Sequence, residues 1–427
     1  MSQQVDHPQR YATVNELHAR PFPSLTVPCE AVYLAFKEPE QAASRDRGRD
    51  IAHLSDLLGR LGSEVPAGVV NHYSGNAQGV DLKWESHTEF VTYSAFSDGL
   101  SMPAFNGKSA QVFLPDWIAS APGKRLAALT IRVEELPEDL EMVVPLLRDW
   151  FVQESLACAQ IIEGAAIVAG DFQIDASGQM RFAVFVRKGT GKRRVGRIVQ
   201  RLCEIEVYRA MSMLGLLRAR GLGQTLNALD SQLSDLVSGL NGAHTSSEVA
   251  LNSLLAIAAE LESLSLQYSY RFAATSAYEA IVNQRIEILR ETRIYGRQTF
   301  GEFMMRRYDP AMRTVKATDE RLKSLANRAQ RAAELLRTRV DVDRSAQNQK
   351  LLESMNDRAD LQLRLQRTVE GLSVVAISYY GVNLASYAAY PLTEVLGISK
   401  SIATSVLTPL VVGLVWLMVR RIRRKMH

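Results

Sequence analysis

GLSVVAISYYGVNLASYAAYPLT, residues 371–393, carries no charged side chain over 23 positions. A second uncharged stretch, SIATSVLTPLVVGLVWLMV at 401–419, follows Glu394 and Lys400 and runs for 19 positions. About 20 helical residues cross a bilayer core of about 30 Å, so each run is long enough to span. The first run is the more polar, with Ser373, Ser378, Tyr379, Tyr380, Asn383 and Ser386. The second is richer in Leu and Val and places Trp416 near one interface. Arg364 and Arg367 precede the first run, and Arg420, Arg421, Arg423, Arg424 and Lys425 follow the second. Basic flanks stay on the cytoplasmic side. Both termini are therefore expected inside, and the connector 384–400, with Glu394, outside.

The whole-chain averages hide this end. Over 427 residues the chain is 47% hydrophobic and 22% charged, with a net charge of +4, and its mean hydropathy is −0.08. Those values fit a chain with a sizeable packed core and exclude a disordered or collagen-like one. The five basic residues between Arg420 and Lys425 outnumber the net charge. The excess positive charge is thus a membrane-proximal tail and not a nucleic-acid surface. Cys29, Cys158 and Cys203 are too few and too widely spaced for a disulfide framework. The polar N-terminus lacks the basic-then-apolar order of a secretory signal.

Upstream of the spans, residues 1–191 mix strand and helix signals. Strand-like runs are 25–36, 89–96, 126–133 and 181–186; helical patterns fall at 50–61 and 137–151. A hairpin is expected across 164–187, turning at Asp175–Gly178 (DASG). After Gly191 the strand signals stop. Residues 192–343 read as long amphipathic helices, with breaks near 221–223, 241–247 and 309–310. Leu352, Met355, Ala359 and Leu363 then form a stripe leading without Gly or Pro to Glu370. One helix is expected over 344–383, a stalk that becomes the first span at about 367–383, with the second span at 401–420 and a basic tail at 421–427. The fold class is therefore α+β: an α/β N-terminal domain, a long helical bundle with a stalk, and two C-terminal transmembrane helices.

Motifs for catalysis are weak. VRKGTGKRRVG (186–196) lacks the phosphate-loop pattern, because Val186 stands where Gly is needed and Arg193 where Ser or Thr is needed; it reads as a basic turn before a helix. His72, Glu85 and His87 lack metal-ligand spacing. No HExxH or GxSxG is present, and no enzyme is expected.

The strongest short signal is SYYGVNL, 378–384, where Gly381 and Asn383 are expected to end the helix as it leaves the bilayer. A long helix entering a moderately polar span, Gly-Val-Asn at its outer end, a short connector, a lipid-like span and a basic tail together resemble the CorA-like magnesium transporters, the two-span superfamily marked by Gly-x-Asn. The resemblance covers the layout of the chain, and residue by residue it covers Tyr380, Gly381 and Asn383, with Val382 where the family usually has Met. It implies a homopentameric divalent-cation channel or transporter of the bacterial inner membrane, in contact with lipid and not with nucleic acid. Mg²⁺ or another divalent cation would be the transported or regulatory ion, with no organic cofactor. On this resemblance Gly381, Val382 and Asn383 form the selectivity ring, and Gly371, Val374 and Ser378 line the pore. Glu394 raises the local cation concentration outside, and Asp357 and Asp360 stand near the inner mouth as metal-binding candidates. A membrane-anchored oligomeric scaffold or regulator without transport is the alternative. NELHARPFP, residues 15–23, is similar to an uncharacterised bacterial membrane-associated family.

Overall fold

The computed structural model describes residues 6–11, 13–14, 21–66, 68, 70–239, 247–396 and 399–426. The chain divides into two compact units, Met1–Thr245 with Asn252–Ala332, and Ser246–Leu251 with Ala333–His427.

The first unit is built on a nine-stranded sheet. Its strands are β1 (Cys29–Lys37), β2 (His72–Ala77), β3 (Val80–Ser86), β4 (Phe90–Asp98), β5 (Lys124–Glu135), β6 (Ala157–Ile161), β7 (Ala166–Ile174), β8 (Met180–Val186) and β9 (Thr292–Arg293). They lie in the order β2-β3-β4-β1-β5-β8-β7-β6-β9. Every pairing is antiparallel except β5 with β8. The sheet is thus mixed and mostly antiparallel, and the expected hairpin is β7–β8. The helices of this unit are α1 (Arg47–Arg60), the short α2 (Lys108–Gln111) and α3 (Pro115–Ala119), α4 (Val143–Trp150), α5 (Lys192–Gly239), α6 (Ser247–Leu289) and α7 (Phe300–Arg307); the first turn and a half of α6 belongs to the second unit.

Period-two alternation decides what each face of the sheet meets. Val32, Leu34 and Phe36 of β1, Leu82 and Trp84 of β3 and Tyr93 of β4 point to one face and pack with Leu54, Leu57 and Leu58 of α1 and Trp117 of α3. Val143, Leu147 and Trp150 of α4 cover the same face farther along, on Ile167, Ala169, Ala183 and Phe185. Helix α5 packs on β1 and β5 from the other side. Its Val195, Ile198, Val199 and Leu202 are fully buried. The sheet is therefore the middle of three layers.

Beyond the sheet, α5 and α6 run antiparallel. Glu204 pairs with Arg285, Tyr208 stacks on Tyr278 at 5.6 Å between centroids, and Thr275 Oγ1 donates to the Ser212 carbonyl at 3.4 Å. Helix α8 (Asp309–Leu396) joins them through Lys316 to Glu279 at 2.8 Å, and through Arg321 and Arg328 to Asp230 at 3.1 and 3.0 Å. The expected break near 309–310 is found; the one near 241–247 lies, but for Ser247, outside the described residues; the one at 221–223 is not found, because α5 continues through Gly221 and Gly223.

The second unit holds the rest of α8 and α9 (Lys400–Met426). Here the helix differs from expectation. It starts at Asp309 and not at 344, and it does not stop at Asn383 but continues to Leu396. Gly381 costs about 1 kcal/mol of helix propensity and Asn383 less, too little to end a helix held by the residues on either side, and α8 runs on through Pro391. Most of the connector expected at 384–400 is therefore helical. Residues 397 and 398 lie outside the described residues, and Glu394 falls in the last turn of α8.

Among the described residues three helices are long and apolar enough to cross a membrane: Ser247–Leu289, Asp309–Ala389 and Lys400–Ile422. The sequence pattern singles out only the last two.

Candidate functional site

The apolar part of α8 has a covered side and an open side. Val374, Gly381, Val382, Ala385 and Ser386 are half-buried, and Ser378 is 6% exposed. At 3.6 residues per turn these fall on one stripe. That stripe faces α9, because a Cβ added to Gly381 would lie 3.0 Å from Val411 Cγ1. In α9, Val415, one turn along, is also buried. Gly381 thus serves close helix packing, the use to which small residues are put between spans, and not a chain turn.

The opposite side of α8 carries Ser373, Ala376, Tyr380, Asn383 and Tyr387, all exposed. Their spacing of three and four residues makes a continuous stripe. At its far end Asn383 and Tyr387, with Ser386, line an open hollow of about 560 Å³ together with Ser401, Thr404 and Ser405 of α9. Polar side chains from both helices therefore gather at the end where α8 and α9 join. Thr404 and Thr408 spend their hydroxyls on the Lys400 and Thr404 carbonyls, at 3.0 and 2.7 Å. Ser378 and Ser386 each bury an Oγ that has no hydrogen-bond partner among the described residues.

The residues expected at a pore are thus split. Gly381, Val382 and Asn383 follow one another on the helix, but Gly381 and Val382 are half-buried, Gly381 against Val411 of α9, whereas Asn383 is exposed and borders the open hollow between the two helices. Val374 and Ser378 belong to the covered stripe. Gly371 is exposed, two turns before Ser378 on that stripe, with open space around it. The stripe that includes Asn383 runs instead through Ser373, Ala376 and Tyr380. This stripe was legible as a seven-residue recurrence of Ser373, Tyr380 and Tyr387. Asp357 and Asp360 are exposed neighbours one turn apart on α8.

In the first unit, His72 and Glu85 are direct cross-strand partners, but they do not form a ligand set. Glu85 is buried 3.2 Å from Lys83, His72 is exposed, and His87 stacks on Phe90. Among the described residues no group of three or more His, Cys, Asp or Glu is arranged to hold a metal ion. Burial raises the thiol pKa values of Cys29 and Cys158 to about 12, so neither is a thiolate nucleophile near neutral pH. The 186–196 motif is a turn leading into α5, which begins at Lys192.

A family model described as "Protein of unknown function (DUF3422)" matches residues 5–426. It spans the sheet, the bundle and both C-terminal apolar helices, so these parts form one family-wide unit. Neither the curated proteins nor the solved structures give a match to the chain.

Proposed function

We propose that this chain, which belongs to the DUF3422 family, is a subunit of an oligomeric, CorA-like divalent-cation channel or transporter of the bacterial inner membrane. The observation that carries the reading is the exposed stripe Ser373–Ala376–Tyr380–Asn383–Tyr387 on a helix apolar enough to cross a membrane. Polar side chains in a bilayer face a protein partner or a water-filled path, because lipid satisfies none of their hydrogen bonds. α9 covers the side of α8 that carries Ser378 and Gly381, and the stripe, whose far end borders an open hollow beside α9, stays exposed and free to meet other copies around an axis. Five copies, as the CorA resemblance implies, would ring the axis with Asn383 amides.

An amide ring suits a hydrated cation. Its carbonyl oxygens accept hydrogen bonds from the water shell that Mg²⁺ gives up reluctantly. The ion is cargo. Below Asn383, Tyr380, Ala376 and Ser373 would line the path, in place of Gly371, Val374 and Ser378. Gly381 and Val382 support the ring by holding α8 against α9.

Two of the three apolar helices are the spans. Helix α6 belongs to the bundle: Leu254, Leu261, Val282 and Leu289 are fully buried. It also carries Arg271, paired with the buried Glu89, and Tyr278, which donates to Glu89 at 2.8 Å. With α8 and α9 spanning, Arg364 and Arg367 at one end and Arg420 and Arg421 at the other fall on the same side, which the positive-inside rule makes cytoplasmic.

A second reading, an oligomeric membrane-anchored scaffold without transport, is favoured by the apolar residues that α8 exposes before its span. Leu351, Leu352, Met355, Leu361, Leu363 and Leu365 are each more than half exposed, a surface suited to helix association. Flux separates the readings. Purified protein in proteoliposomes is expected to admit Mg²⁺ or Co²⁺, and Asn383→Ala to alter rate or selectivity about tenfold, the effect of about 1.4 kcal/mol. An assembly that forms normally but passes no divalent cation supports the scaffold.

A further inference from the structure

The sheet face turned toward α5 is apolar along most of its length but polar at one corner. There the side chains of β1, β3 and β4 and those of α5 enclose a cavity of about 240 Å³. Tyr33, Ser94 and Lys83 lie in one cross-strand row, Tyr33 opposite Ser94 and Ser94 opposite Lys83. Strands sit about 4.8 Å apart, so the row presents three donors across about two such spacings. All three residues are at least nine-tenths buried and line the cavity. No hydrogen bond of the Tyr33 or Ser94 hydroxyl is found among the described residues, and neither oxygen is sealed off from the cavity. The Lys83 ammonium donates to Gln200 Oε1 at 3.1 Å and stands 3.2 Å from Glu85, which leaves a third N–H for the cavity. Burial raises the Tyr33 pKa well above its ordinary value and keeps the phenol a donor.

Two carboxylates complete the lining. Glu204, on the facing α5, accepts from Gln200 Nε2 at 3.0 Å and pairs with Arg285, and Glu85 stands beside Lys83 on the same strand. Each carboxylate keeps lone pairs to spare. Phe22 stands at the mouth, about half exposed. Its neighbour Pro23 packs so closely on α5 that a Cβ at Gly196 would overlap the Pro23 carbonyl at 1.7 Å. The segment beside the mouth is therefore seated against a glycine, where any side chain would force Pro23 or α5 to shift.

Both hydroxyls open on the cavity, and a polar cavity of this size is one that something hydrogen-bonding fills. It is smaller than the ~300–1,000 Å³ of drug-sized sites, so the occupant is small. Its walls offer donors on the strands and carboxylates beside them. We propose that this cavity binds a small zwitterion of the amino-acid class, its carboxylate on Tyr33, Ser94 and Lys83 and its ammonium toward Glu85 and Glu204. Cys203, also in the wall, is held protonated by burial, so the site binds without covalent chemistry.

The test is calorimetric titration of the full chain in detergent with each of the free amino acids. Every active compound is compared with its decarboxylated amine, its deaminated acid and inorganic phosphate. Saturable binding of at least one amino acid is expected, with each one-charge analogue about tenfold weaker or worse, the loss of about 1.4 kcal/mol. Tyr33→Phe and Ser94→Ala are each expected to weaken binding about three- to tenfold, the worth of one hydrogen bond. Neither hydroxyl has a protein partner to lose, so the unfolding temperature of each variant serves as the control for folding. The analogue comparison needs no variant at all. Absence of saturable binding by any amino acid, equal binding of the analogues or of phosphate, or binding unchanged in both folded variants would each overturn the proposal.

Discussion

His53 sits at the centre of the aromatic core. It lies stacked on Trp117 at 4.1 Å, with Nδ1 2.8 Å from the Tyr93 hydroxyl and Nε2 3.0 Å from the Trp117 carbonyl. A carbonyl only accepts, so Nε2 carries the proton and Nδ1 accepts from Tyr93. Burial lowers the His53 pKa below its ordinary 6.5. The sign follows from linkage: below 6.5 the unfolded chain takes up a proton that the folded chain refuses. The contribution of His53 is whole above 6.5 and is lost as pH falls from there toward the folded pKa. Unfolding temperature measured against pH is expected to fall in that window, and His53→Phe to flatten the fall. Glu89 makes a second residue-scale case. It is 1% exposed and holds Arg271 and Tyr278. Glu89→Ala strands a buried guanidinium, a change that costs about 3–5 kcal/mol. The unfolding temperature is expected to drop sharply, and Arg271→Met to restore part of the loss. Periodicity alone reveals neither residue's role, because both roles depend on partners at least 40 positions away in sequence.

Among elements, the strands with strong β-branched or aromatic content, β1, β4, β5 and β8, are legible from sequence. The weak ones are not. β2, HYSGNA, has no apolar alternation and is ordered by its pairing with β3; β9 is two residues long and exists only as an edge on β6. Helix ends show the same division. The start of α5 at Lys192 and of α8 at Asp309 follow Gly and turn signals, whereas Gly381 reads as a terminator and serves as a contact. A glycine on a helix is ambiguous between these uses until its neighbour is known, and that neighbour is Val411. The contact makes a prediction for the α8–α9 pair. Gly381→Leu is expected to destabilise the pair by about 1–3 kcal/mol through overpacking, read as a lowered unfolding temperature in detergent. Val411→Ala in the same chain is expected to recover part of it, whereas Gly371→Leu, with open space around it, is expected to cost little.

For the whole molecule, the decisive features were those of scale. Two uncharged runs of bilayer length near the C-terminus, with basic flanks, stand out without any motif, and the structure has helices over both that are long and apolar enough to cross a membrane. The recurrence of Ser373, Tyr380 and Tyr387 marks one stripe of α8, but which side α9 covers was not legible, because Asn383 and Ser378 are five residues apart and both polar; only the contact of Gly381 with Val411 shows it. The transport proposal rests on the open side. Mass measurement in detergent is expected to give a single closed oligomer, and a monomer would remove the axis on which five Asn383 side chains meet. The most direct test remains ion flux. Proteoliposomes with the wild-type chain are expected to take up Mg²⁺ or Co²⁺ down its gradient, with Asn383→Ala changing rate or selectivity about tenfold. Wild-type uptake no greater than that of protein-free liposomes, under either ion and either polarity of membrane potential, would contradict the account.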